Sequence, residues 1–500
     1  MESKNFHSSA RGAGLVLACA LGVVAQCGVA QTASADSTVL NPYSPAYGHS
    51  YRHGVVPTSE THQDMKLWRA QNAPAAALAA APAAAPTGTQ TVSYGGGLSG
   101  AGVISGTPRV YLVVYGNQWG NLGFDAQGNL TFSGDSVGAV PYLQRLMKGL
   151  GTGGELWSGV MTQYCDGAVP LNSTTCPSTA PKIGYPGGAT LAGVWYDNSV
   201  AAPAQASQAQ LAQEAANAAA HFGNTTPGIN RYTQYVIMSP SGTHPDGFNT
   251  GKPNGFCAWH DYTSGSSGNI AYTNLPYVYD MRGSCGANWV NAGAAGYLDG
   301  FSIVEGHEYA ETLTDQFPNT GWINHTGSSF NGEEAADECV WLTSGQGALA
   351  NVSMATGNFA MQSVWSNDTN RCDISHPVVV TQAGAASLSS SPSSVSISQS
   401  GAIIVTRGLT ITNGGPGTMA SITTNVTQLS GTVGDLTISR DTCTGSSLNP
   451  GETCVVQIEF ESGCLFNGNS TSKWNVTVNG AVANTLTVPV TGTTTKGICQ

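Results

Sequence analysis

Between Pro108 and Pro240 short apolar runs alternate with stretches of helical periodicity. Arg109 to Tyr115 (RVYLVVY) is β-branched and aromatic and is followed by Gly116, so it predicts a buried strand. Val140 to Leu150 is amphipathic and predicts a helix. Ala206 to Phe222 is rich in Ala and Gln and is followed by Gly223, which predicts a helix with a glycine stop. Tyr232 to Met238 (YTQYVIM) predicts a second strand, stopped by Ser239-Pro240. Strand, helix, helix, strand points to an α/β or α+β domain. Phe301 to Asp315 fits one further helix, with Ile303, Gly306, Ala310 and Leu313 on its buried face.

After His376-Pro377 the period shortens. Val395-Ser396-Ile397, Ile403-Ile404-Val405 and Val455-Val456-Gln457-Ile458 alternate or cluster between Gly and Asn, the pattern of an all-β sandwich. Leu448-Asn449-Pro450-Gly451-Glu452-Thr453-Cys454 looks like the hairpin of immunoglobulin-like modules appended to bacterial secreted proteins. The expected layout is an export signal at 1–35, an Ala/Pro-rich segment at 36–100, a zincin-like α/β domain at 101–377 and a β-sandwich accessory domain at 378–500. A chain of 500 residues is too long for one compact core, which agrees with two folded domains.

Composition narrows the setting. Lys4 and Arg11 precede the apolar run from Ala13 to Ala25, and Ala33-Ser34-Ala35 offers a small-x-small cleavage site, with Ala30 as a second. Gln26 before Cys27 argues against a lipid anchor. No later run approaches the roughly 18 apolar residues of a membrane span. Only 9% of residues are charged and the formal net charge is -12, which excludes a phosphate backbone as partner. Ala73 to Pro86 reads APAAALAAAPAAAP and suits a cleavable pro-segment or a cell-surface tether equally well. Ten cysteines follow the signal, and an even number in an exported chain predicts disulfides. Nearest-neighbour pairing gives 165–176, 257–285, 339–372, 443–454 and 464–499.

The chemistry concentrates at His307-Glu308-Tyr309-Ala310-Glu311. On a helix, His307 and Glu311 stand one turn apart, as in an H-E-x-x-H metal helix whose intervening Glu activates water. Glu311 takes the place of the second His. One His with carboxylates binds Zn²⁺, and the more anionic set also suits Ca²⁺ or Mn²⁺. Asp315 lies about 12 Å further along the axis, too far to share an ion with His307, and is expected to end the helix. Further ligands are sought at 331–339, where Asn331 would cap a second helix and present Glu333 or Glu334, with Asp337 one turn on to orient the metal-binding His. Residues 305–338 hold eight of the 29 acids in a chain poor in charge. His260, in Cys257-Ala258-Trp259-His260-Asp261-Tyr262, could stabilise an oxyanion, add a metal ligand or simply pack. Tyr309 is expected to pack, and His244, His325 and His376 to lie on the surface.

Pro108-Arg109-Val110-Tyr111 through Tyr115-Gly116, Phe256-Cys257-Ala258-Trp259-His260, His307-Glu308-x-x-Glu311-x-x-Thr314-Asp315, Gly321-Trp322, Glu334-x-x-Asp337-x-Cys339 and Gln362-Ser363-Val364-Trp365-Ser366-Asn367 together resemble the phosphate-induced protein / EXORDIUM-like family of secreted plant and bacterial proteins. The resemblance covers about 105–375. It implies that His307, Glu311, Glu334 and Asp337 are shared polar positions, which ranks Glu334 above Glu333.

The expected function is a secreted metal-dependent endopeptidase acting on extracellular protein or peptide. Glu308 would be general base, His307, Glu311 and Glu334 ligands, His260 an auxiliary and Asp337 a support. The tail domain would contact substrate, cell surface or glycan. The alternative is a non-catalytic cell-wall or glycan-binding protein with a structural ion.

Overall fold

The computed structural model describes residues 41–72, 88–251, 253–379, 386–400, 403–414, 419, 422–448, 452–465, 467–480 and 485–497. The expected export signal, the Ala/Pro stretch and Cys499 lie outside these. Chain order begins with β1 (His53–Pro57), α1 (Ser59–Asn72), β2 (Val92–Tyr94), β3 (Arg109–Tyr115), α2 (Ala139–Gly149), β4 (Leu191–Asp197) and α3 (Gln208–His221). There follow β5 (Thr233–Met238), β6 (Phe256–Gly265), β7 (Gly268–Leu275), α4 (Asp299–Thr314) and β8 (Trp322–Asn324).

Six of these strands form one sheet in the order β1-β6-β7-β5-β3-β4. Strands β4, β3, β5 and β7 run parallel, and the central β3 and β5 are buried nearly throughout while the edge strand β4 is mostly half-buried. Strand β6 turns back antiparallel to β7, and β1 lies antiparallel along the outer edge of β6. Ser207 caps α3, exchanging side-chain and backbone hydrogen bonds with Gln210. Gly223, with φ of 75°, follows the end of that helix, as the glycine stop predicted.

Helix α4 matches its expected span but is buried on every side rather than along one face. Elements close around it: α2, β6, β1 and the hairpin Ala350–Met361 all pack against it. Tyr309 packs as expected, stacked on Trp157 at 6.3 Å between ring centres.

Two expectations change. Residues 41–72 and 88–100 are folded, although the segment's average composition is core-poor. A five-residue strand needs few apolar side chains when the edge of β6 supplies its hydrogen bonds. The expected helix after Asn331 is instead an irregular run that bridges β8 at Glu334 and ends in one 3₁₀ turn, Asp337–Cys339.

The C-terminal region is β-sandwich-like. Its strands are β9 (Leu388–Ser391), β10 (Val395–Ser400), β11 (Ile404–Asn413), β12 (Thr423–Ser430), β13 (Asp435–Asp441), β14 (Thr453–Glu461), β15 (Asn469–Asn479) and β16 (Thr485–Thr495). They form sheets ordered β9-β11-β14-β13 and β10-β16-β15-β12. Their inward residues, among them Leu409, Val456, Phe460 and Trp474, build an apolar core separate from that around the six-stranded sheet. Disulfides join 165–176, 257–285, 339–372 and 443–454, as nearest-neighbour pairing predicts. Among the described residues no helix is long and apolar enough to cross a membrane.

Candidate metal centre

Helix α4 buries Asp299, Glu305, His307, Glu308 and Glu311 within sixteen residues. The helical repeat places His307 and Glu311 one above the other, 3.0 Å apart from Nε2 to Oε2. The segment 333–339 is brought against them by three ties. Glu334 bridges Ile323, Cys339 is bonded to Cys372, and the backbone N–H of Trp365 donates to the Ala335 carbonyl at 2.8 Å. From this segment the N–H groups of Ala336 and Asp337 donate to Glu311 Oε1 at 3.1 and 2.8 Å. That fixes the Glu311 carboxylate with Oε2 turned toward His307.

Two overlapping donor sets result. His307, Glu311 and Asp337 each place one ligand atom within 4.8 Å of the others, and so do His260, Glu308 and Glu311. Asp337 Oδ1 lies 3.5 Å from His307 Nε2. His260, held on β6, has Nε2 at 3.2 and 3.3 Å from the two Glu334 oxygens and at 3.9 Å from Glu311 Oε2. The Cys257–Cys285 disulfide anchors the same strand three residues earlier.

The arrangement is electrostatically incomplete in itself. Four carboxyl groups (308, 311, 334 and 337) face two imidazoles, and His260, His307, Glu308 and Glu311 are wholly buried. His307 Nδ1, both oxygens of Glu308 and His260 Nδ1 lack a hydrogen-bond partner, whereas His307 Nε2 and Glu311 Oε2 face each other as an ion pair. Burial lifts the Glu308 carboxyl well above the usual range, and the charges of Glu311 and Glu305 lift it further. Burial and then Asp337 raise Glu311; burial and then Asp315 raise Glu334. At His307 burial alone would lower the pKa, but the Glu311 and Asp337 carboxylates outweigh it and hold it at about 10. At His260 burial prevails and the pKa falls. An uncompensated buried carboxylate costs several kcal/mol, roughly, unless protonated or paired. A divalent cation supplies the missing charge and gives the converging, unpartnered atoms a common partner, so the residues fit a metal ion.

The expected residues divide accordingly. His307, Glu308, Glu311, Glu334 and His260 come together. Asp337, expected one shell out, faces His307 directly beside Glu311. Glu333 points the other way and forms an ion pair with Arg69 of α1. Asp315 does end α4, accepting backbone N–H groups of Asn319, Thr320 and Gly321. His376 is buried, with Nδ1 2.7 Å from the Pro377 carbonyl, whereas His325 is exposed. Unforeseen are His53 and Gly54. His53 pairs with His260 across β1 and β6, and burial, aided by the His260 charge, pulls its pKa down to about 4. Only a strand assignment at 53–57 would have drawn attention to them, and five residues in a polar stretch carry no such signal.

No protein-family model matches the chain, and no curated protein matches it. Several solved structures share pieces with it. The secreted serine protease VesC from Vibrio cholerae is 15% identical over 29% of this chain and 35% of its own, at a TM-score of 0.18. A family 123 glycoside hydrolase from Clostridium perfringens is 5% identical over 21% of this chain and 23% of its own, at 0.17. The human CEP192 PapD-like domain 7 is 14% identical over 26% of this chain and 99% of its own, at 0.17. Overlaps this slight carry no argument about chemistry or architecture.

Proposed function

We propose that the chain is an exported, metal-dependent peptide hydrolase whose centre is the buried cluster on α4. One observation carries the reading: buried ligand atoms of His307, Glu308 and Glu311, those of Glu308 unpartnered, converge with those of Asp337 and His260. His307, Glu311 and Asp337 would hold the ion, with Zn²⁺ suited to the histidine and Ca²⁺ or Mn²⁺ to the carboxylates. The cation would act as a Lewis acid and make water a nucleophile near neutral pH. Glu308, with two unpartnered oxygens, would accept the proton from the attacking water once a bound cation's charge offsets the burial and neighbouring carboxylates that raise its pKa. His260, steadied by Glu334, is placed to stabilise the oxyanion that develops on the peptide carbonyl. Glu311 keeps its orientation through its two backbone hydrogen bonds. The disulfides among the described residues support an extracellular setting. The C-terminal region would serve as an immunoglobulin-like accessory module toward substrate, cell surface or glycan. Membership of the phosphate-induced / EXORDIUM-like family remains part of this proposal and rests on the motifs between 105 and 375.

A second reading has its own support. The cluster is largely buried, with Glu334 only 3% exposed and the Asp337 side chain 17%, which suits a structural ion in a non-catalytic cell-wall or glycan-binding protein. Metal analysis and casein digestion of wild type and Glu308→Gln separate the two. For a hydrolase, both proteins carry metal and the variant loses at least about 100-fold in cleavage. Metal without cleavage under any condition leaves the structural reading. Neither protein carrying metal removes both.

A further inference from the structure

The cluster is closed on one side by β1. Val56 and Pro57 pair with Ala258 and Phe256, and His53 with His260, so β1 lies on the edge of β6 as a short extended chain. The register shifts between His53 and Val56, a stretch that contains Gly54 with φ of 48°, and again between Val56 and Pro57. At Gly54 the backbone comes so close to the centre that a β-carbon would collide with the Glu311 carboxylate and the His260 ring. Only glycine fits, by conformation and by space.

This segment is held differently from the rest of the sheet. Helix α1 buries Thr61, His62, Met65 and Arg69, a face with a single apolar side chain. Val55 and Val56 of β1 are buried in the main apolar core, and the segment's other ties are largely polar. Arg52 Nε and Nη2 donate to Asp246 at 2.7 Å, and Arg69 pairs with Glu333. Ser284 Oγ donates to Glu60 at 2.9 Å, and Trp341 Nε1 to the Pro57 carbonyl at 2.8 Å. A neutral contact of this kind is worth about 1 kcal/mol and a buried charged one such as Arg52–Asp246 about 1.5–3 kcal/mol. Next in sequence comes Ala73 to Pro86, which contains only Ala and Pro apart from Leu78.

We propose that residues 41–72 are an internal competitor for a peptide-binding edge: β1 holds on β6 the place of an extended substrate, and the centre opens when the segment leaves. Resting on the peptide-hydrolase reading, this names the substrate class. It is an extended polypeptide that adds as a strand antiparallel to β6 and presents glycine where Gly54 lies. It also accounts for a largely buried centre in a hydrolase.

The test uses the full chain with one recognition site for a sequence-specific protease inserted within 73–86. After cutting, the fragment bearing 41–72 dissociates on size exclusion. Hydrogen exchange at the backbone amides of residues 256–260 then rises at least about tenfold. A synthetic peptide of residues 41–72 restores protection, and the same peptide with Gly54→Ala does not. In the uncut chain, Arg52→Ala with Arg69→Ala also speeds exchange at 256–260. A fragment that stays bound with exchange unchanged overturns the proposal, as does a cut chain that aggregates, since 41–72 is then part of the fold. These readouts need neither metal nor cleavage, so they stand or fall separately from the hydrolase reading. Casein digestion gained on cutting and suppressed by the 41–72 peptide supports both. Measurable digestion that is equal before and after cutting overturns the competitor alone.

Discussion

Glu333 and Asp337 lie four residues apart, both acidic, and the irregular backbone between them sends their side chains opposite ways. Asp337→Ala is therefore expected to weaken Zn²⁺ binding by at least about 100-fold in calorimetric titration, while Glu333→Ala changes it by less than about threefold. Glu333→Ala should instead loosen α1, whose Arg69 loses its partner. Away from the centre, burial lifts the Glu214 carboxyl from its ordinary value to about 7. The folded chain then holds that proton more tightly than the unfolded chain does. This contribution is complete below the ordinary carboxylate pKa of 4.5 and is lost as pH rises to about 7. Glu214→Gln should match wild type in thermal melting at pH 4 and exceed it by about 2–4 °C at pH 8. His307, Glu311 and Glu334 were legible as candidates because their residue types and spacing on or near one helix suffice to suggest ligation. Asp337's direct place beside His307 was not, because it depends on a 3₁₀ turn where helical periodicity predicted a regular turn.

At the scale of elements, α4 carries the chemistry and its packing sets how well it is held. Its glycines differ in what they face. A β-carbon on Gly300 would meet the Cys285 carbonyl, whereas one on Gly306 would meet the end of the Met361 side chain. Backbone cannot yield as a thioether can. Gly300→Ala should cost about 2–3 kcal/mol and Gly306→Ala about 1 kcal/mol or less, read by denaturant unfolding. Strands β3 and β5 and helices α2, α3 and α4 could be read from sequence because each has enough residues for its own periodicity. Strand β1 could not. Its five residues acquire strand geometry from the β6 edge, and its neighbours in sequence pull the local average toward a linker.

Across the whole molecule, two separate apolar cores predict two calorimetric transitions. The ion would be bound by the core that contains α4. Zn²⁺ at about 100 times its dissociation constant should stabilise that transition by about 2.7 kcal/mol and leave the sandwich transition in place, and a chelator should reverse the effect. One transition that moves as a unit with metal would show the two cores to be coupled, the Arg109–Glu452 hydrogen bond at 2.6 Å being one tie between them.

Sequence alone determined the local matters: the long helices and strands, the alternating β region, the disulfide neighbours and the His307–Glu311 pair one helical turn apart. These follow from propensity, periodicity and short-range spacing, which each stretch of chain carries in itself. Tertiary structure decided which acids face the histidines, that His260 joins them, and that Gly54 closes over them. Those outcomes depend on segments from 25 to more than 250 residues apart meeting at one place, and on burial, which raises the cost of every unpaired charge there.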